Sequence, residues 1–245
     1  MAIYIYGIIN YNGMIDDSIK GLKGAPVRCI PYHEMGVVVS DIGAGILHII
    51  KDHALRHEQV VERLMKDFTV LPFRFPTSFK NEKAVLSMMN DHYGDFRDNL
   101  ERLRGKTEFG IKVIWPGNRI RMLIAHVKNG DHRPAPDDSA VKTFIGDKLE
   151  KYKIDRKIEG EADRRIAVVD GFFHKFAEEK KLEKLKTENL LLTAFYLVKN
   201  EKQKDFTLAF DQLSMSSFSE LKYLFSGPWP PYNFIRMTQG RQGNE

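Results

Sequence analysis

The chain has 245 residues, of which 42% are hydrophobic and 29% charged, with a formal net charge of +5. That length fits one large domain or two small ones with ample core; the composition excludes a disordered chain, and the single cysteine, Cys29, excludes an intrachain disulfide and any multi-cysteine zinc site. No apolar run approaches the roughly 18 to 20 residues of a membrane-spanning helix, and the start, MAIYIYGIINYNG, lacks a basic n-region, so no membrane role and a cytoplasmic location are expected.

In chain order, AIYIYGII reads as a strand and MIDDSIKGL as a short helix with Asp16 and Asp17 in its first turn. PVRCIPY and GVVVSDI follow as two strands separated by only His33, Glu34 and Met35, the spacing of a hairpin, with Pro31 placing the first at an edge and Cys29 packed inside. KDHALRHEQVVERLMKDF sets His57, Val61, Leu64 and Phe68 on one stripe, which predicts an amphipathic helix, and TVLPFRF predicts a short buried strand. The order strand, helix, strand, strand, helix, strand is that of a ferredoxin-like sandwich. A further helix, KAVLSMMNDHYGDFRDNLERLRG, ends at Gly105, a C′ glycine.

The pattern restarts at Thr107. TEFGIKVIW is a strand stopped by Pro116 and Gly117, RIRMLIAHVKNG a helix, and NGDHRPAPDD a loop. A long helical region then runs to about Lys186, carrying Ile158, Ala162, Ile166, Val169, Phe173 and Phe176 on one stripe, with Gly160 and Gly171 as places where it breaks into two helices. NLLLTAFYLVK predicts a strand, KQKDFTLAFDQLSMSS a helix, and ELKYLFSG a closing strand whose Leu221, Tyr223 and Phe225 share one face. The expected fold class is therefore α+β in two domains. An N-terminal ferredoxin-like sandwich with its trailing helix occupies 1–105, and a C-terminal α+β domain, with long helices packed on a small sheet, occupies 106–245.

No constellation completes a catalytic site. His53 and His57 have the i, i+4 spacing of two metal ligands, but no third ligand stands at a telling distance, and His57 shares its stripe with Val61 and Leu64, as a hydrogen-bonded packing histidine does. DIGAGI lacks the rest of a dinucleotide fingerprint, and the serines of LSMSSF lack nucleophile-elbow glycines. The basic stretch from Arg97 to Arg133 carries no RNP-like or KH-like signature, so neither nucleic acid nor a cofactor is expected. Two rivals to a binding role are a metal-dependent enzyme using His53 and His57 and a basic RNA-binding protein.

In VLPFRFPT, alternation puts Arg74 on the face opposite Phe73 and Phe75, either paired with a carboxylate inside the fold or presented to a partner. Near the end, FSGPWPPYNF places Pro228, Pro230 and Pro231 after Gly227, where the closing strand is expected to end; the prolines make a stiff extended arm that carries Trp229, Tyr232 and Phe234. The arm can dock within the protein or on another subunit. The first is favoured, with the arm covering the Leu221, Tyr223 and Phe225 face of its own C-terminal domain.

The initial YIYGI, HEQVVERLMKDFTVLPFRFPTSF, TENLLLTAFYLVKNEKQKDF and the terminal SGPWPPYNF together resemble the gas vesicle proteins of the GvpF/GvpL family over nearly the whole chain. The motif residues are His57, the Leu71, Pro72, Arg74 and Phe75 strand, and the Gly227, Pro228, Trp229, Pro230, Pro231 and Tyr232 element; Pro76 stands where many relatives have glycine. The resemblance implies a non-enzymatic accessory or minor structural protein of gas vesicle assembly, located at the gas vesicle. Its implied partners are the main shell protein and other accessory gas vesicle proteins.

Overall fold

The computed structural model describes residues 2–11, 13–43, 51–115, 140–187, 190–215 and 221–238. It is a mixed α+β structure with two antiparallel sheets, and the chain divides into two compact units, Met1–Glu108 with Pro228–Glu245, and Phe109–Gly227.

The first unit is built on β1 (Ala2–Asn10), β2 (Arg28–Tyr32), β3 (Met35–Ile42), β4 (Val70–Pro72) and β5 (Ser78–Phe79). The sheet order is β2-β3-β1-β4, with β5 also paired to β1, so Pro31 does lie on an edge strand. Helix α1 (Lys51–Met65) buries His57, Val60, Val61 and Leu64 against Tyr4, Tyr6 and Ile9 of β1. The step from residues 4 and 6 to residue 9 follows from a bulge, where the β1–β3 register shifts between Ile5 and Gly7 and the inward face changes parity. Every interior residue of β1 is buried, because α2 (Glu82–Asp91) and α3 (Tyr93–Leu103) also contact the sheet, at β5 and at β1 and β4 respectively.

Three local expectations are corrected here. The helix expected over MIDDSIKGL is absent; the segment is a turn followed by a 3-10 turn at Leu22–Gly24. Asp16 accepts a hydrogen bond from the Ser18 amide (2.9 Å), a local bond that competes with helix. The buried Tyr6 hydroxyl accepts from the Leu22 amide (2.8 Å) and donates to Ser40, and a Cβ on Gly21 would meet that hydroxyl at 2.1 Å. The chain is thus pinned to the sheet through a position only glycine fits. Secondly, the trailing helix is two helices that meet at His92, whose φ −122°, ψ 18° is not helical; the second ends as expected, with Gly105 at φ +67°. Thirdly, the TVLPFRF strand is only three residues long, although the Phe73 amide still donates to the Tyr6 carbonyl (2.9 Å).

The second unit carries β6 (Lys106–Ile114), α4 (Ala140–Phe173), β7 (Ala177–Thr187), β8 (Leu190–Lys199), α5 (Gln203–Met215) and β9 (Lys222–Trp229), with β6 and β9 each crossing a unit boundary. Its sheet order is β7-β8-β6-β9. The expected helix stripe is present, with Ala162, Val169 and Phe173 buried, and α4 runs unbroken through Gly160 and Gly171. Phe109, Phe173, Tyr196 and Phe206 form the aromatic centre of the core, Phe109 stacking on Phe206 at 4.9 Å.

The helical region does not reach Lys186. Ala177–Thr187, charged at most positions, is an edge strand paired antiparallel to the apolar β8, from Ala177 opposite Val198 to Thr187 opposite Leu190. Pairing with β8 overrides the helical character of AEEKKLEKLKT, and its lysines suit an exposed edge. The RIRMLIAHVKNG helix and the NGDHRPAPDD loop lie outside the described residues, as do the last three residues of DIGAGI and the second and third serines of LSMSSF.

Candidate functional site

Three of the four motif segments converge on His57 in the first unit. Its side chain is 1% exposed and lies between the rings of Tyr6, stacked at 5.6 Å, and Tyr4 and Phe75, edge-on at 5.7 and 6.0 Å. Nε2 stands 2.9 Å from the Phe73 carbonyl, which can only accept, so Nε2 bears the proton; Nδ1 then accepts from the Tyr4 hydroxyl at 2.7 Å. The Tyr232 hydroxyl, from the C-terminal arm, stands 3.5 Å from Nε2. Burial lowers the His57 pKa to about 4, against the smaller opposing pull of the Phe73 carbonyl. Burial likewise raises the Tyr4, Tyr6 and Tyr232 hydroxyls. At neutral pH this is an uncharged hydrogen-bonded knot whose imidazole lone pair is engaged by Tyr4. It is the packing histidine that the stripe with Val61 and Leu64 implied.

His53 is half-buried one turn earlier on α1, and among the described residues no group of three or more His, Cys, Asp or Glu side chains is arranged to hold a metal. A metal at His57 would have to displace the Tyr4 hydroxyl or the Phe73 carbonyl.

The arm is where the structure departs most from the sequence reading. Gly227 does not end the closing strand: β9 continues through Pro228 to Trp229, with Gly227 at φ +114°, a conformation that side chains rarely adopt. From Pro228 onward the arm belongs to the first unit and not to the C-terminal domain it was expected to cover. The hold on it comes from α3 and from Glu108. Asn99, 3% exposed, brackets Arg236, its amide donating to the Arg236 carbonyl (2.6 Å) and its oxygen accepting from the Arg236 amide (2.9 Å). Arg102 donates to the Phe234 carbonyl, and Asp95 accepts from the Thr238 amide (3.1 Å) and hydroxyl (2.6 Å). Residues 95, 99 and 102 fall on one helix face, so α3 presents a rail of polar side chains to the backbone of the arm. Glu108, also 3% exposed, accepts from the Asn233 amide (2.8 Å) and side chain (2.5 Å).

Within the arm, Pro230, Pro231 and Phe234 are buried, while Trp229 and Tyr232 are half-buried. These two rings, with Pro230 and Asn233, close a cavity of about 210 Å³ against Val61, Glu58 and Glu62 of α1 and against Glu108. Leu71 and Pro72 are spent on the sheet, opposite Ile8 and Gly7. Arg74 is exposed, as the alternation with half-buried Phe73 and Phe75 requires, and no carboxylate among the described residues pairs with it. The turn after it closes with Thr77 donating to the Arg74 carbonyl (2.7 Å) and accommodates Pro76. Cys29 is half-buried, and burial pushes its thiol up to about 12.

A family model described as gas vesicle synthesis protein GvpL/GvpF matches residues 2–236. The chain belongs to that family. Among its GvpL/GvpF relatives, gas vesicle protein F1 of Halobacterium salinarum is 26% identical, over 98% of this chain and 95% of the relative. Gas vesicle protein F of Dolichospermum flosaquae is 24% identical, over 97% and 98% respectively. The crystal structure of GvpF from Anabaena sp. superposes with a TM-score of 0.81 at 19% identity, covering 97% of this chain and 99% of that one, which places both in one fold. The GvpF structure from Microcystis aeruginosa gives the same TM-score, 0.81, at 18% identity. The residues that sequence reading missed in this GvpL/GvpF chain are Asp95, Asn99, Arg102 and Glu108. One signal was present: Asn99 interrupts the apolar stripe of Phe96, Leu100 and Leu103, and a polar residue in such a stripe needs a partner.

Proposed function

We propose that the protein is an accessory or minor structural component of gas vesicle assembly that binds the main shell protein, other accessory gas vesicle proteins, or both while the shell forms in the cytoplasm, and that it catalyses no reaction. The observation that carries this reading is the family match along residues 2–236, joined by relatives named gas vesicle proteins over nearly their full lengths. The geometry of the motif residues agrees with it. His57, weighed with His53 as a metal ligand, is neutral and engaged at both ring nitrogens, and the proline-rich arm is fixed through backbone contacts. Among the described residues no helix is long and apolar enough to cross a membrane.

The test is capture of the main shell protein, and of each other gas vesicle protein in turn, by the purified full chain with folding checked independently. Specific retention of at least one supports the reading. A folded protein that retains none of them removes its basis.

A further inference from the structure

We propose that the cavity between α1 and the C-terminal arm is a receptor for one basic side chain, an arginine or a lysine, of a partner polypeptide. Every residue lining it belongs to the first unit. Its volume, about 210 Å³, lies below the roughly 300 Å³ at which pockets for drug-sized ligands begin, so it suits the head of a single side chain better than a metabolite. Its walls combine two features that select a cation. Trp229 and Tyr232 contribute aromatic rings, whose electron-rich faces attract guanidinium and ammonium groups, tryptophan most strongly. Glu58, Glu62 and Glu108 contribute three carboxylates to the same space.

Their placement differs usefully. Glu108 is buried at the cavity wall, and its carboxyl group is held in place by accepting from Asn233 at both oxygens. Glu58 and Glu62 are exposed one helical turn apart, a like-charge spacing that disfavours helix, and among the described residues no basic side chain is paired with either. All three raise the Tyr232 hydroxyl, burial being the larger cause, so their negative potential is felt inside the cavity. A guanidinium or ammonium group entering there meets carboxylates at the mouth and aromatic rings beside them, and its departure from water is offset by both. The partner's identity as a gas vesicle protein rests on the function proposed above, whereas the cation selectivity does not.

The probe is a short capped glycine–arginine–glycine peptide, with its citrulline analogue as a neutral control of the same shape. Binding is read from the indole N–H resonance of Trp229 in the ¹⁵N-labelled full chain, told apart from Trp115 by a Trp229→Phe sample. The arginine peptide is expected to shift the Trp229 signal saturably, the citrulline peptide not, and Glu58→Gln with Glu62→Gln to weaken binding about tenfold without disturbing the remaining spectrum. Equal responses to the two peptides, no response to either, or undiminished binding by the folded double variant would overturn the proposal. Capture experiments separate it from the assembly reading. If the wild-type chain and the double variant retain the shell protein equally while the peptide is silent, the cavity proposal fails and the assembly reading stands. If nothing from the gas vesicle is retained while arginine still shifts Trp229 selectively, the cavity is a cation receptor and the assembly reading fails.

Discussion

Lowering the pH tests the buried histidine knot at the junction of β1, α1 and the arm. In the folded chain His57 protonates only near pH 4, because a charged imidazole would be surrounded by Tyr4, Tyr6 and Phe75 and nearly cut off from water; in the unfolded chain it protonates near 6.5. Between those values the unfolded state binds the extra proton. Stability is therefore full above about pH 6.5 and falls as the pH drops, with the loss complete near pH 4. The separation of the two values is worth about 3 kcal/mol, approached with a slope of up to about 1.4 kcal/mol per pH unit. Urea unfolding across this range, with wild type and His57→Gln side by side, isolates the contribution. Glutamine donates to the Phe73 carbonyl and accepts from Tyr4 without an ionisable group, so its curve is expected to be flat where the wild-type curve falls. A direct check follows the His57 ring proton by NMR. Parallel stability curves for the two proteins, or a His57 resonance that titrates near pH 6.5, would show that burial does not hold the imidazole neutral.

The hold on the arm gives three further expectations. Asn99→Ala removes both bonds to the Arg236 backbone and should cost about 2 to 3 kcal/mol, with faster tryptic cleavage after Arg236 as the readout; unchanged cleavage would count against the rail. Phe234→Ala should destabilise by about 3 to 5 kcal/mol, as for a buried aromatic, and half-buried Trp229→Ala by only about 1 to 2 kcal/mol, an order that thermal and urea melts of both variants can reverse. Gly227→Ala places a side chain at φ +114° and should cost about 1 to 3 kcal/mol in the same melts, so a neutral effect would show that the backbone relaxes there.

What the sequence disclosed divides along the range of the forces involved. The stripe of His57, Val61 and Leu64 and the alternation of Leu221, Tyr223 and Phe225 are periodic, and the elements they predict are present at α1 and β9. The hairpin of β2 and β3 was marked by the short spacer His33, Glu34 and Met35, of which Met35 pairs with Tyr32 and leaves His33 and Glu34 as the turn. β7 was misread because alternating Glu and Lys describe a solvated helix face as well as an exposed edge strand, and only the distant β8 decides between them. The missing first helix was decided by the hydroxyl of Tyr6, sixteen residues from the amide it binds.

The site divides in the same way. The prolines announced a stiff arm, but its destination is set by Asp95, Asn99 and Arg102, more than 130 residues away, and these bind largely its backbone. Backbone groups are present at every residue and leave no signature in sequence. The cavity was equally hidden, since Glu58 and Glu62 look like an ordinary solvated face until Trp229 and Tyr232 are placed opposite them. His57 was legible as a packing residue from its stripe, whereas its two hydrogen-bond partners were not.

The role proposed for this chain is participation in building gas vesicles. Its most direct test is vesicle formation in cells that carry the complete gas vesicle gene set with this one gene deleted, compared with the same cells given the gene back and viewed by electron microscopy. The deletion is expected to give few or no vesicles, or misshapen ones, and the returned gene to restore them. Vesicles of normal number and shape in its absence would contradict that role.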